Sequence, residues 1–307
     1  MIVYKYSQLS DNNILSYAKS MEICKNARDL HFGQLKLFFS ELIFLSIHAK
    51  PGYLVLYIGA AEGYHISLLA DFFPECMFEL WDPVPFKLEP RANIKLFNSK
   101  FTDTDAADYA KITDRPILLM CDLRNLEIIV HRRNNSMSGM DELVVTDMDM
   151  QASWAKTINP VSAYLKFRLP YNAKQTKYLA GRIYLQPYSK ISTEARLMTS
   201  KYDKYIVYDP IKFDMQLAYH NAYNRCSKID DTKWNNQLKK YNLYHCWDTI
   251  YAFYILAYYL KKIKGIKSKA VTGKVFMKIV AFHIKQTGPK YRRMFNDNKI
   301  PDDIDQY

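Results

Sequence analysis

The sequence predicts an α/β protein with a mainly parallel, twisted sheet flanked by helices and followed by extra C-terminal helices. Three observations support this fold class. Short apolar segments alternate with helical segments through the first half of the chain, as in strand–helix–strand units. A glycine-containing turn, GAAEG at 59–63, directly follows the first apolar segment. Asp82 and Asp122 each follow a predicted strand, at the edge where open α/β sheets bind ligands.

The first elements are an arm with a short helix over 1–32 and a helix over 33–48. Apolar residues at helical spacing predict the second of these, namely Leu35, Phe38, Leu42 and Leu45. Apolar runs then predict strands at 54–58, 77–81, 94–97, 116–121 and 162–168, and helices at about 65–73 and 141–157. Further strands are expected to extend the same sheet near Tyr184, at 196–199 and at 205–208.

The last hundred residues are predicted to form helices at about 212–228, 247–262 and 271–287. We therefore expect one domain over 1–307, made of an arm (1–32), an α/β core (33–210) and a helical, basic C-terminal region (211–307). The basic segments 261–269 and 290–295 are typical either of a solvated surface or of a contact with RNA or a partner.

The composition restricts the class of protein. The 307 residues carry a formal net charge of +12 and 25 tyrosines, which favours a polyanionic partner, nucleic acid or an anionic membrane, and suits base stacking. The five cysteines show no CxxC spacing and are expected to be free thiols in a reducing compartment. We expect a soluble intracellular protein, because the N-terminus lacks an apolar signal core and the longest apolar run, 249–260, is too short to span a bilayer.

The glycine turn suits an adenosine-containing cofactor. Its glycines allow close approach of a ligand, and Asp82, 19 residues after Gly63, can accept both hydroxyls of an adenosine ribose. A dinucleotide site would need GxGxxG, whereas this chain has GAAEG, and Glu62 would repel a phosphate. These features favour the cationic cofactor S-adenosylmethionine. An ordinary strand–helix turn is the other interpretation.

Other polar residues near predicted strands suit the activation of a hydroxyl group. Lys166 lies inside the apolar strand AYLKFRLP, where it faces either solvent on an edge or a cleft with carboxylates. Lys36, Asp122 and Glu194 are its candidate neighbours. A readily deprotonated lysine can act as general base toward a ribose hydroxyl or stabilise the developing alkoxide. The seven histidines are scattered, so no metal is expected.

Several sequence blocks, in the same order, resemble the poxvirus family of cap-specific mRNA nucleoside 2′-O-methyltransferases, which are also regulatory subunits of the viral poly(A) polymerase. The blocks are FGQLKLFFSELIFLS (32–46), LYIGAAEGYH (56–65), ILLMCDLR (117–124), INPVSAYLKFRLPY (158–171) and LQPYSKISTEARL (185–197). This resemblance covers roughly residues 15–230. It implies a single methyltransferase domain with a Rossmann-like, S-adenosylmethionine-dependent methyltransferase fold.

The resemblance also implies an activity, partners and a location. The implied reaction methylates the first transcribed nucleotide of m7G-capped mRNA at its 2′-oxygen, which converts cap 0 to cap 1. The implied partners are the capped mRNA 5′ end and a viral poly(A) polymerase catalytic subunit, without a membrane. The implied location is the host cytoplasm, in viral factories, and the virion.

The resemblance finally implies roles for single residues. The family's Lys-Asp-Lys-Glu tetrad falls on Lys36, Asp122, Lys166 and Glu194, with Lys166 as the catalytic lysine. The implied cofactor contacts are Gln34, Tyr57, Gly59, Ala61, Gly63, His65, Asp82 and Asp122. The implied cap pocket stacks cationic 7-methylguanine between Tyr17 and Tyr171, with Asp214 near the acidic position. Arg132, Arg133 and Arg168 are candidates for contacts with phosphates.

The chain departs from the family pattern at three of these places. Glu62 replaces a proline in the turn, Val84 replaces an arginine after the ribose-binding aspartate, and Asp214 replaces a glutamate. Two alternatives stay open at this point. One is a non-catalytic or dual-function RNA-binding processivity subunit of a viral poly(A) polymerase, and the other is a ribose methyltransferase that acts on ribosomal RNA.

Overall fold

The structure is a computed structural model that describes residues 4–28, 30–89, 91–124, 139–225 and 232–307. The strands are β1 (Leu54–Ile58), β2 (Met77–Trp81), β3 (Ile94–Phe97), β4 (Ile117–Cys121), β5 (Ser162–Phe167), β6 (Thr176–Leu179), β7 (Arg182–Tyr184), β8 (Ala195–Thr199) and β9 (Tyr205–Tyr208). The α-helices are α1 (Tyr17–Cys24), α2 (Gly33–His48), α3 (Ile66–Phe72), α4 (Asp103–Tyr109), α5 (Met140–Ile158), α6 (Pro210–Tyr219), α7 (Asn235–Lys240), α8 (Trp247–Lys264) and α9 (Lys269–Thr287). A π-helical turn, His220–Arg225, continues α6.

The main sheet has seven strands in the order β3-β2-β1-β4-β5-β8-β7. The first five are parallel to one another, whereas β8 is antiparallel to both β5 and β7. The fold class predicted from the sequence, a mainly parallel Rossmann-like sheet with helices, is confirmed. The strand order reverses at β1, and open α/β sheets bind ligands beyond the carboxyl ends of the strands that flank such a point.

One strand was predicted in the wrong sheet. Residues 205–208 form a strand, but this strand pairs with β6 in a separate two-stranded sheet and does not extend the main sheet. The physical reason is exposure, since the side chain of Val207 is 60% exposed and those of Tyr205 and Ile206 are each 39% exposed. A strand inside the main sheet would be buried on both faces.

Helices cover both faces of the sheet. Successive side chains of a strand point to opposite faces, so Tyr57 on β1 and Trp81, the partner of Ile58 on β2, lie on opposite sides. The Tyr57 hydroxyl donates to Glu41 on α2, and the Trp81 indole donates to the Tyr109 hydroxyl on α4. Therefore α2 covers one face and α4 the other.

The C-terminal helices complete the core. Helix α8 packs against α2, and α9 packs against α8, which confirms the extra C-terminal helices. The predicted helix at 212–228 begins two residues earlier, because Pro210 occupies its first turn and Asp209 caps it. Among the described residues, no helix is long and apolar enough to cross a membrane. Cys24, Cys76, Cys121 and Cys246 are buried and form no disulfide bond within the described residues, and Cys226 lies outside them.

Candidate active site

The glycine turn after β1 brings two parallel strands into close contact at their carboxyl ends. Gly59 has φ +78°, and a Cβ at this position would lie 2.9 Å from the backbone carbonyl carbon of Asp122, which follows β4. A larger residue would therefore push the turn away from β4. The turn thus lies directly against the residues that follow β4, at the point where the strand order reverses.

Asp82, at the end of β2, faces this turn. One carboxylate oxygen accepts a hydrogen bond from the Ala61 amide and the other from the Val84 amide, each at 2.8 Å. Each oxygen keeps a second lone pair, so the fixed carboxylate can still accept two hydroxyl groups. Glu62 forms an ion pair of 2.5 Å with Lys87. Its charge is thereby balanced, and it does not distinguish a dinucleotide from a sulfonium cofactor.

A buried hydrogen-bond chain lies beneath the turn. The Tyr57 hydroxyl donates to Glu41 at 2.6 Å, the other carboxylate oxygen of Glu41 lies 2.8 Å from Nε2 of His65, and Nδ1 of His65 lies 2.8 Å from the Gln34 side-chain oxygen. Three of the predicted cofactor residues thus form one network. His65 has no exposed surface, so its ring can hold Gln34 in position but does not itself contact a ligand.

Glu41, at the centre of this chain, was missed by the sequence analysis. It is 3% exposed although it is charged. The available signal was a single carboxylate within the apolar run LFFSELIFL of α2. A carboxylate in such a place requires hydrogen-bond partners, which Tyr57 and His65 provide.

The four residues predicted as a tetrad lie together at the carboxyl ends of β4 and β5. The Lys166 ammonium lies 2.6 Å from Asp122 and 3.9 Å from Glu194, and the Lys36 ammonium lies 3.1 Å from Glu194. Lys166 is on a central strand and is 11% exposed in its side chain. The alternative in which it faces solvent on an edge strand is therefore excluded.

Two arginines that the sequence analysis left without a role complete this cluster. Arg196 lies 2.9 Å from Asp122, and Arg124 lies 2.5 Å from Glu194. The antiparallel pairing of β5 with β8 sets Arg196 directly beside Lys166. The available signals were an arginine two residues after each acidic member of the tetrad, in CDLR and TEAR.

The cluster has more positive than negative charge, since four cations surround two carboxylates. Burial lowers the pKa of Lys166, and Asp122 and Glu194 restore it only in part. Burial alone would raise the pKa values of Asp122 and Glu194, but the surrounding cations outweigh it and hold both below the usual range. Both carboxylates therefore stay ionised while Lys166 loses its proton more readily than an ordinary lysine.

Two of the three predicted cap residues, Tyr17 and Asp214, contact the loop that precedes β8, whereas Tyr171 contacts Arg168. The hydroxyl of Tyr17 donates to the Ile191 carbonyl at 3.4 Å, and Asp214 on α6 is hydrogen-bonded to Thr193. Tyr171 lies beyond β5, and the guanidinium of Arg168 is 4.4 Å from its ring centre. Burial raises the pKa of Asp214, and one of its oxygens has no hydrogen-bond partner in the structure.

Arg168 links this region to the tetrad, two residues after Lys166. It is 6% exposed, yet its Nε and Nη1 groups have no hydrogen-bond partner among the described residues. A buried guanidinium with free donors is costly unless a ligand accepts from it. Arg132 and Arg133 lie outside the described residues.

The chain is similar to poxvirus proteins over most of its length. It is 27% identical over 248 residues to the cap-specific mRNA (nucleoside-2′-O-)-methyltransferase of Myxoma virus (strain Lausanne), which covers 72% of this chain and 70% of that protein. It is also 27% identical over 251 residues to the protein of the same name from Fowlpox virus (strain NVSL), with coverage of 73% and 75%.

Among solved structures, the sugar N-methyltransferase KedS8 from Streptoalloteichus matches 73% of this chain and 90% of its own, at 10% identity and a TM-score of 0.25. The sequence model of the family described as poly A polymerase regulatory subunit matches residues 3–281. The predicted family resemblance is thereby confirmed. Because this match covers far more than half of the sequence, the chain belongs to the poly(A) polymerase regulatory subunit family.

Proposed function

We propose that this protein is an S-adenosylmethionine-dependent methyltransferase that acts on the ribose 2′-hydroxyl of the first transcribed nucleotide of m7G-capped mRNA. The observation that carries the proposal is the position of Lys166, 2.6 Å from Asp122 and next to the glycine turn. The names of the Myxoma virus and Fowlpox virus relatives support the reaction class. A lysine of lowered pKa beside the glycine turn suits the activation of a weakly acidic hydroxyl.

The residues around the turn fit S-adenosylmethionine. The Asp82 carboxylate is fixed against the turn by two backbone amides and keeps the lone pairs that a ribose diol requires. Gln34 would hold the polar end of the cofactor. When bound, the cofactor supplies an electrophilic methyl group on a sulfonium, and the negative charges of Asp82 and Asp122 suit its positive charge.

The chain's own residues activate and orient the ribose oxygen. Neutral Lys166 accepts the proton of the 2′-hydroxyl, while Asp122 and Glu194 hold its nitrogen in one place. Arg196 fixes Asp122, and Lys36 and Arg124 fix Glu194. The cations that remain around Lys166 stabilise the negative charge that develops on the oxygen.

The residues beyond β5 suit the cap. Tyr17 and Tyr171 provide aromatic rings for the cationic 7-methylguanine, and the free oxygen of Asp214 can accept from its edge. The unpartnered donors of Arg168 suit a phosphate of the cap. A ribose methyltransferase for ribosomal RNA would need neither feature.

The test is transfer of a labelled methyl group from S-adenosylmethionine to a short capped RNA, followed by nuclease mapping of the labelled nucleotide. Lys166→Ala should lose activity by several orders of magnitude but still bind the cofactor in calorimetry. Lys177→Ala, at an exposed lysine of β6, is the matched control and should keep full activity. Full activity of Lys166→Ala would refute the mechanism.

A second comparison tests the substrate. Activity should require the cap, and Tyr171→Ala should weaken the use of capped RNA. Equal activity on capped and uncapped RNA would support the ribosomal-RNA alternative.

We also propose that the protein binds the catalytic subunit of a poly(A) polymerase, in viral factories of the host cytoplasm and in the virion. The family description supports this partnership. Pull-down of the polymerase with Lys166→Ala protein separates the two roles, since the partnership should survive loss of the catalytic lysine. Loss of both together would argue against a distinct partner surface.

A further inference from the structure

A second pocket lies at the end of the sheet opposite the candidate active site. Its cavity of about 420 Å³ is lined by the start of β5 at Ser162, the end of α2 at His48 and the end of β8 at Thr199. Lys166, on the same strand as Ser162, lies four residues further toward the carboxyl end, or about 13 Å along the strand. The cofactor turn and the tetrad therefore do not line this pocket.

The pocket is rimmed by positive charge. Arg182, Lys201 and Lys204 line it, and in the described part of the chain no carboxylate lies within ion-pair distance of these three side chains. Asp203, between the two lysines in sequence, instead forms an ion pair of 3.3 Å with Lys156. Lys262 donates to the Ile47 carbonyl at 2.9 Å and thereby covers part of the negative end of α2.

The excess of positive charge around the pocket also affects the pKa of His48. Its pKa is lowered, first by burial and then by the positive charges of Lys262 and Arg182. The ring is hydrogen-bonded to Ser162, with a distance of 3.3 Å to the hydroxyl, and lies 3.4 Å from the Met198 sulfur. A neutral imidazole held in this way offers a flat face inside a cationic rim.

The inner wall is apolar, which suits a base. Ile47, Ala180 and Met198 contribute to it. At Gly181 a Cβ would lie 2.6 Å from the Met198 carbonyl oxygen, so the β6–β7 turn lies close against β8. A cavity of this volume holds about one nucleotide, with a base on the wall and a phosphate on the rim.

We propose that this pocket binds one nucleotide of single-stranded RNA, through its phosphate at Arg182, Lys201 and Lys204 and its base at the apolar wall. The cations lie on exposed positions around an open rim, which suits a strand that enters and leaves with one charge per nucleotide. The proposal goes beyond the proposed function, because it gives the protein an RNA contact that is independent of the cap. The net charge of +12 is consistent with more than one such contact.

The experiment measures the binding of a short, uncapped, fluorescein-labelled oligoribonucleotide by anisotropy at several salt concentrations. The variant carries Arg182→Gln, Lys201→Gln and Lys204→Gln together, all at exposed positions. We expect affinity to fall about tenfold or more, and the slope of log K against log salt to fall by about 0.7 for each lost phosphate contact.

A matched control carries Lys269→Gln, Lys274→Gln and Lys278→Gln, which remove the same charge from exposed positions of α9. Equal weakening in the two triple variants, or none in either, would overturn the proposal, since binding would then follow net charge alone or lie elsewhere. Tight binding of free AMP at this pocket, without binding of the strand, would also overturn it in favour of a free nucleotide.

The outcome is separable from that of the proposed function. A cap dinucleotide has no nucleotide left for this pocket, because the proposed function places its ribose at the tetrad and its 7-methylguanine at Tyr17 and Tyr171. Its methylation should therefore be unchanged in the Arg182, Lys201 and Lys204 variant. Loss of strand binding in that variant supports the RNA pocket even if the wild-type protein transfers no methyl group.

Discussion

Lys166 shares the carboxylates Asp122 and Glu194 with Lys36, Arg124 and Arg196. Each of these cations compensates a buried carboxylate, and Arg124 and Arg196 also repel the Lys166 ammonium. The arrangement therefore holds a lysine in place by hydrogen bonding while it favours the neutral form of that lysine. A pair of one lysine and one carboxylate alone would raise the pKa of the lysine instead.

This balance predicts the pH dependence of the methyl transfer proposed above. Because neutral Lys166 is the base, the rate should rise as the pH increases through its lowered pKa. Arg124→Gln removes a cation that lowers this pKa, so the rising limb should move to higher pH. The measurement is the pH profile of kcat under cofactor saturation. Arg115→Gln, at an exposed arginine paired with Asp114, should not move the limb, and a shift to lower pH in Arg124→Gln would contradict the assignment.

Glu41 gives a second prediction at this scale, which also rests on the proposed function. Glu41→Gln keeps the size of the side chain but removes the charge that holds Tyr57 and His65, so Gln34 loses its fixed position. We expect cofactor binding to weaken about tenfold, or about 1.4 kcal/mol, with a smaller change in kcat.

Glu79→Gln is the matched control, since Glu79 also accepts from a tyrosine hydroxyl, that of Tyr109, but on β2. Cofactor affinity should be close to that of the wild type in this variant. If Glu41→Gln lowered the free energy of unfolding but left cofactor affinity unchanged, its role would be purely structural.

At the scale of the elements, local signals predicted α2 and β1 to β3 with their observed bounds. These segments have strong periodicity or a continuous apolar run, which local sequence is sufficient to reveal. The partner of β9 could not be predicted, because nothing local in 205–208 distinguishes an edge of the main sheet from the two-stranded sheet with β6.

The residues of the candidate site also divide into those that sequence could predict and those that depend on tertiary contacts. Asp82 and Asp122 were predictable because strand ends meet at one edge of a parallel sheet, and the tetrad came from the family resemblance. Arg196 could not be assigned, because its contact with Asp122 depends on the antiparallel register that pairs it with Lys166. Glu41 could not be assigned either, because its hydrogen bond with Tyr57 depends on the distance between α2 and β1.

The contact of α9 with Tyr241 gives a prediction at the scale of the elements. Gly273 lies within α9, where a Cβ would lie 2.6 Å from the Tyr241 ring and from the Gln237 side-chain oxygen. Alanine would gain about 1 kcal/mol of helix propensity, but overpacking against the rigid ring costs about 1–3 kcal/mol. We expect Gly273→Ala to lower the free energy of unfolding by about 1 kcal/mol, measured by urea denaturation.

The nearby Gly265→Ala variant is not a suitable control, because Gly265 has φ +69°. Ser268→Ala removes the hydrogen bond that the Val271 amide donates to the N-cap side chain of α9. This variant instead measures how strongly α9 contributes to stability. Stabilisation by Gly273→Ala would show that α9 moves away from Tyr241 at little cost.

At the scale of the whole molecule, the described part of the N-terminal arm contacts both the α/β core and the segment after α9. Lys5 forms a backbone bridge with Tyr184 on the edge strand β7. Arg28 donates to the carbonyl of Phe295 at 2.7 Å, so the N-terminal arm also holds the segment after α9. Buried residues from Leu30 to Ile304 belong to one hydrophobic cluster. We therefore expect changes in the arm or the tail to alter the stability of the core.

Two buried histidines then predict how the stability of the whole molecule depends on pH. His220 and His283 are 2% and 1% exposed, and burial lowers the pKa of each to about 3. The unfolded chain protonates these rings near pH 6.5, whereas the folded chain does not. Folded pKa values below the unfolded ones mean that the free energy of unfolding decreases as the pH falls from about 6.5 toward 3.

At pH 5 each histidine should lower the free energy of unfolding by about 2 kcal/mol relative to its value at pH 7.5. His283→Phe replaces a ring packed against Phe38 and Tyr291 with one that cannot be protonated. The measurement is urea denaturation at pH 7.5 and pH 5, above the range in which Asp122 and Glu194 titrate in the unfolded chain. Between pH 7.5 and pH 5, the free energy of unfolding should fall by about 2 kcal/mol less in the variant than in the wild type, whatever the stability of the variant at pH 7.5. An equal loss in both proteins would mean that the His283 ring becomes protonated without unfolding, and that the interior around α9 admits a charge.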